Sequence, residues 1–182
     1  MAGVADNIQD IFERSFDELI SDLIEALKDE YKAQGHVLTG RLIKNIKATI
    51  TQAGERMESE ITLLPYARYL ERGVKARNIP FSPGSGRKSS KYIDALIQYF
   101  LQRGVRPVEE AKRAAFATAR KHKKEGMPTR SSFKYSKNGR RKFAIRETIE
   151  GEGDRITEDF AKRYADRVSG EIARLIAEKE NI

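Results

Sequence analysis

Residues able to do chemistry are few and scattered along the chain. There are two histidines, His36 beside Gly35 and His122 within Lys121-His122-Lys123-Lys124, and no cysteine. The missing cysteines exclude disulfides, thiolate metal ligation and thiolate catalysis. A metal centre needs several converging ligands, and two separated histidines do not supply them. His122, among lysines, reads as a solvated helix residue. The carboxylates fall mainly on polar helix faces, so a catalytic pair would have to be assembled from distant segments. Pro83-Gly84-Ser85-Gly86-Arg87-Lys88-Ser89-Ser90 superficially resembles a phosphate-binding loop. Such a loop needs four residues between its glycines, a buried strand before it and a helix whose first amides cradle phosphate. The spacing is wrong and a proline-containing loop precedes it, so the segment reads as a basic loop. The expectation is a chain with no catalytic residue, no cofactor and no metal.

One stretch has binding chemistry. From Arg120 to Arg146, Phe133, Tyr135 and Phe143 interleave with Arg130, Lys134, Lys137, Arg140, Arg141 and Lys142. Basic side chains neutralise phosphates and aromatic rings stack on bases. No helix-turn-helix, zinc finger or other recognition module accompanies them. Two readings of the stretch stay open: a nucleic-acid surface, or a basic arm that orders on an acidic neighbour.

The whole chain sets the frame. Its 182 residues suit one compact domain with a decorated end. Apolar residues make up 39% and charged residues 34%, a balance that points to long amphipathic helices or to segments that order against a partner. The net charge of +8 is unevenly spread. Residues 1–34 carry nine acids and three bases, net −6, whereas residues 103–147 carry fifteen bases and four acids, net +11. Such polarity can hold neighbouring subunits head to tail or face nucleic acid. No apolar run approaches the roughly 20 residues of a membrane span, and the start has no basic region typical of a signal peptide. The expectation is a soluble protein used without export and without a membrane partner.

The elements that would position these residues can be read from periodicity. Ile8, Phe12, Phe16, Leu19, Leu23 and Leu27 recur at helical steps, with Asp10, Glu13, Asp17, Asp22, Glu25 and Asp29 opposite, and Gly35 terminates the helix. Ile46, Ala48 and Ile50 alternate with polar residues, as do Met57, Ser59 and Ile61 after a turn at Gln52–Glu55; the two runs predict an antiparallel hairpin. Pro65 and Gly73 bracket one or two helical turns, and residues 75–91 form the longest loop. Helices are predicted over 92–103 and from Pro107 to Gly126, the second with a narrow alanine face. Residues 129–142 read as polar, basic and turn-like. Phe143 to Ile149 alternates poorly and reads as a third strand or the front of a helix, with the lean toward strand; Gly151 and Gly153 read as breakers, and Asp154 as the cap of a final amphipathic helix. The fold class is α+β, with the long first helix packed on a small antiparallel sheet.

Three pieces taken together resemble a known family: Thr39-Gly40-Arg41-Leu42 before the hairpin, Pro65-Tyr66-Ala67-Arg68-Tyr69-Leu70-Glu71-Arg72-Gly73 after it, and Ile79-Pro80-Phe81 in the following loop. Their order resembles the minor tail or tail-completion proteins of long-tailed phages, the gene-ten-like proteins of lambda-like siphophages. Residues 38–81 carry the likeness, and Ala117–Pro128 resembles the ending of larger members. Residues 1–128 then form the family-like core and 129–182 an extension. The resemblance implies a non-enzymatic virion protein made in the host cytoplasm and placed at the head–tail junction. It also implies a cyclic homo-oligomer, a hexamer, that meets neighbouring neck, tail-terminator or tail-tube proteins; whether the basic segment meets packaged DNA or protein stays open. Thr39, Gly40, Leu42, Tyr66, Ala67, Leu70, Gly73, Pro80 and Phe81 would be its structural motif, with Tyr66, Tyr69 and Leu70 seating the short helix on the hairpin. Interface candidates are Arg68, Glu71, Arg72, Lys75, Arg77, Arg87, Lys88, Arg130, Lys134, Tyr135, Arg140 and Arg141, with acidic helix meeting basic loop between subunits and segments 75–91 and 129–142 ordering on neighbours. The runner-up function is nucleic-acid binding through residues 120–146; a metal-dependent nuclease is a weaker third.

Overall fold

A computed structural model describes residues 2–53, 56–84 and 90–180. The protein is a mostly helical α+β chain. Its elements run α1 (Ala2–Ala33), α2 (Arg41–Lys44), β1 (Lys47–Ala53), β2 (Arg56–Thr62), α3 (Ala67–Arg72), a 3-10 turn (Ala76–Asn78), α4 (Lys91–Gln102), α5 (Val108–Glu125), a second 3-10 turn (Arg130–Tyr135) and α6 (Ala144–Glu180). These form two compact units interleaved along the chain. The first holds residues 1–30, 45–64 and 145–182; the second holds residues 31–44 and 65–144.

In the first unit, α1 and α6 pack antiparallel. Phe12 meets Tyr164 edge-on at 5.6 Å and Phe160 at 6.3 Å between ring centroids, geometries that suit the ring quadrupoles. Arg163 reaches Asp22 at 2.6 Å. Arg167 reaches Glu18 at 2.7 Å and donates to the buried Ser15 hydroxyl at 3.0 Å. Part of the acidic face of α1 is therefore neutralised within the chain. β1 and β2 pair antiparallel from Lys47↔Thr62 to Ala53↔Arg56. Ala48, Ile50, Met57, Ser59 and Ile61 share the half-buried face and the residues between them are exposed, the period-two pattern of one covered side. Of the expected turn, Gln52 and Ala53 belong to β1, and Gly54 and Glu55 lie outside the described residues.

The expected third strand is a helix. Phe143 takes a positive φ of 64°, and α6 begins at Ala144. Ala144 and Thr148 are both buried, a four-residue spacing that belongs to a helix and that the poor alternation of Phe143, Ile145 and Glu147 obscured. Gly151 and Gly153 do not break α6, and Asp154 lies inside it rather than at its cap. Each helical glycine costs about 1 kcal/mol relative to alanine. Against that, Arg155 bridges Glu152 at 2.8 Å and Asp159 at 2.9 Å along the helix, and Ile156 is buried.

In the second unit, α1 ends in a left-handed glycine cap. Gly35 has φ +73°, its amide donates to Lys32 O at 3.0 Å, and His36 N donates to Tyr31 O at 2.9 Å, the paired hydrogen bonds of a Schellman motif. α4 starts at the Ser90 cap, whose hydroxyl accepts from Ile93 N at 3.2 Å. α5 packs on α4. Of its expected alanine face, Ala111, Ala115 and Ala119 are fully buried, Ala114 is half-buried and Ala117 is exposed.

Candidate interaction surface

The geometry of the second unit begins with two glycines. Gly73 closes α3 at φ 70°, ψ −176°, and Gly126 closes α5 at φ 84°, ψ −169°. Only glycine adopts that backbone region readily. The residues beyond them then pair: Val74 N donates to Met127 O and Met127 N to Val74 O, each at 2.8 Å. The approach is close enough that a Cβ on Gly73 would lie 2.5 Å from Met127 O, and one on Gly126 would lie 2.5 Å from Val74 O. Glycine is required on both sides for conformation and for space.

Neighbouring contacts extend this clasp. Ile79 is buried and its carbonyl accepts from Lys123 Nζ at 3.0 Å. Phe81 meets Phe116 of α5 edge-on at 6.4 Å. Pro80 is exposed. Leu42 is buried; Thr39 Oγ1 accepts weakly from Arg41 N at 3.4 Å, and Gly40, at φ +64°, accepts from Lys44 N at 3.0 Å. Sequence reasoning passed over Val74, and it noted Ile79 and Met127 only as parts of motif stretches, not as site residues. None stands out as a residue type, because their roles come from backbone pairing and burial.

On α3, Ala67 is buried, Leu70 and Glu71 are half-buried, and Arg68 and Arg72 are exposed. Tyr66 and Tyr69 are 41% and 48% exposed, so they do not seat the helix as expected; Ala67 is the buried residue of α3. The Arg68 guanidinium lies 4.8 Å from the Tyr69 ring centroid and donates to its hydroxyl at 2.8 Å. Exposed tyrosine with arginine is the composition that protein interfaces favour.

The basic stretch after α5 is held to its own chain. Lys137 N donates to Ala33 O at 2.6 Å, Gln34 Nε2 to Lys142 O at 3.0 Å, and Phe143 N to Glu71 O at 3.1 Å. Tyr135 O lies 2.9 Å from where a Cβ on Gly35 would be. Arg130, Lys134 and Arg140 are exposed, as is Tyr135 at 63%. Arg141 is half-buried instead, and desolvation lowers its pKa. Lys75 and Arg77 are exposed, while Arg87 and Lys88 lie outside the described residues.

Both histidines are more enclosed than their sequence contexts suggest. Burial and the Arg141 charge hold the His36 imidazole down to about 4, although the ring is hydrogen-bonded to the Arg141 backbone. Its Nε2 and the Tyr31 hydroxyl are buried with no hydrogen-bond partner among the described residues. His122 is half-buried and not solvated: its Nδ1 lies 2.6 Å from the Tyr92 hydroxyl. Desolvation lowers the His122 pKa and raises that of Tyr92 to about 12. Among the described residues no cluster of histidines and carboxylates could hold a metal ion, and no helix is long and apolar enough to cross a membrane.

Folding sorts charge more sharply than the sequence does. The second unit contains 24 lysines and arginines and five acids, net +19; the first contains 11 bases and 22 acids, net −11. No family model, curated protein or solved structure matches the chain.

Proposed function

We propose that the chain is a non-enzymatic structural subunit of a tailed-phage particle, completing the tail end and joining it to the head. The observation that carries this reading is the clasp at Val74 and Met127. It ties the end of the Pro65–Gly73 motif to the Gly126-Met127-Pro128 ending, and the Ile79-Pro80-Phe81 loop packs beside it through Lys123 and Phe116. Segments that resemble the tail-completion family piecewise thus belong to one packed unit. Their packing together supports reading them as one set rather than as separate short motifs.

In this reading subunits form a closed ring, a hexamer as in the family, through heterologous contacts. The exposed face of α3 meets a neighbouring subunit or an adjacent neck, tail-terminator or tail-tube protein. Exposed Asp10, Asp17, Glu25 and Asp29 of α1 offer an acidic counterpart to Lys75 and Arg77 of another copy. Arg68→Glu with Arg72→Glu places negative charge on that face without touching buried residues. The expected result is a folded protein with an unchanged circular-dichroism spectrum that fails to complement a phage lacking the gene, with infectious titre down at least about tenfold, the scale of one desolvated charge contact. Normal titre would remove α3 from the interface.

A further inference from the structure

Most of the positive charge of the second unit has no acid available within that unit. Its five acids are Glu71, Asp94, Glu109, Glu110 and Glu125. Glu109 is engaged by Lys112 at 2.8 Å, and Glu125 accepts from Arg130 N at 3.0 Å. The acidic unit, by contrast, satisfies many of its carboxylates internally, through Arg163 and Arg167 between helices and through Arg155 and Arg174 along α6. The second unit thus carries an excess of cations over its own acids, and a polyanion is the partner chemistry that suits such a surface.

The basic residues are organised. Arg113, Arg120 and Lys124 are exposed on α5 at separations of seven and four, which puts them on one helical stripe about 16 Å long. The buried Ala111, Ala115 and Ala119 occupy the opposite side, so packing on α4 turns the stripe outward. At its C-terminal end, Lys121 Nζ hydrogen-bonds Ser131 Oγ and Glu125 holds the Arg130 amide. These two tethers place the Arg130–Tyr135 turn, with exposed Lys134 and Tyr135, at the foot of the stripe. Lys137 N bound to Ala33 O and Gln34 Nε2 bound to Lys142 O hold the residues that follow the turn. A surface already ordered binds without the entropic cost of folding an arm.

We infer that the α5 stripe and the Arg130–Tyr135 turn form a binding surface for the phosphate backbone of nucleic acid, independent of base sequence. Exposed cations in line along a helix and onto a turn suit contact with successive phosphates, and among the described residues no recognition element is present to read base edges. Tyr135, with the Lys134 ammonium 5.0 Å from its ring centroid, is placed to stack on an unpaired base. The inference rests on charge and geometry and stands apart from the virion reading.

The test uses the full chain, a duplex of about 30 base pairs of arbitrary sequence and a single strand of the same length, followed by fluorescence anisotropy from about 25 to 200 mM salt. The expected result is binding whose affinity falls steeply with salt. In a variant carrying Arg120→Ala, Lys124→Ala, Arg130→Ala and Lys134→Ala, affinity should fall at least tenfold and the salt slope become shallower by about three to four. All four side chains are exposed, and thermal melts should be superimposable. Arg155→Ala with Arg174→Ala, in the acidic unit, should bind as the parent does. Absence of binding at low salt overturns the inference, as does equal binding by the four-residue variant. Salt-sensitive self-association without DNA binding, abolished by that variant, also overturns it and gives the surface to the acidic unit of a second copy.

Discussion

Gly73→Ala lowers the unfolding free energy of the chain by about 3–4 kcal/mol, and Gly126→Ala does the same. Two costs combine at each site. The backbone region costs a residue with a Cβ about 1–3 kcal/mol. The new methyl group also meets a backbone carbonyl of the partner segment at 2.5 Å, and that carbonyl cannot move without giving up its 2.8 Å hydrogen bond. Because both substitutions break the same clasp, the double variant should lose less than the sum. Gly104→Ala is the control. Gly104 has φ +84° but open space around it, so alanine there should cost only about 1–2 kcal/mol. Urea unfolding of the three variants settles the matter, and equal costs at Gly73 and Gly104 would mean that the clasp carries no load.

The second large effect is on acid stability. His36 is held at about 4 by burial and by Arg141, against 6.5 when free. Above pH 6.5 the ring is neutral in both folded and unfolded chains. As pH falls from 6.5 toward 4, the unfolded chain takes up a proton that the folded chain refuses, so stability drops over that window and levels off below it. The full shift would be worth about 3 kcal/mol; partial solvent access to the ring reduces it to about 1.5 kcal/mol. His36→Gln should therefore lose about that much less stability than the parent between pH 7 and pH 4, in denaturant titrations at each pH. Carboxylates titrate in both proteins and cancel in the comparison. Parallel curves would show that the imidazole is solvated when folded.

Long periodic elements were legible in the sequence. The stripe from Ile8 to Leu27, the alternation of Ile46, Ala48 and Ile50 with Met57, Ser59 and Ile61, and the alanine face of α5 each encode one element and its covered side. The start of α6 was not legible, because the burial that outweighs Gly151 and Gly153 comes from residues distant in sequence. Nor was the enclosure of His122, since Tyr92, thirty positions earlier, supplies its partner. The motif residues were found, but the reason for Gly73 lies in Met127, a contact no local pattern encodes. Charge followed the same rule: segment counts gave two modest imbalances, and folding gathers them into units of −11 and +19.

The proposed role of this chain is to join phage tails to heads. Electron microscopy of a lysate from a phage lacking only this gene tests it most directly. Filled heads lying apart from unattached tails are expected, with joined virions restored when the gene is supplied in trans. Normal, joined virions in the absence of the gene would contradict it.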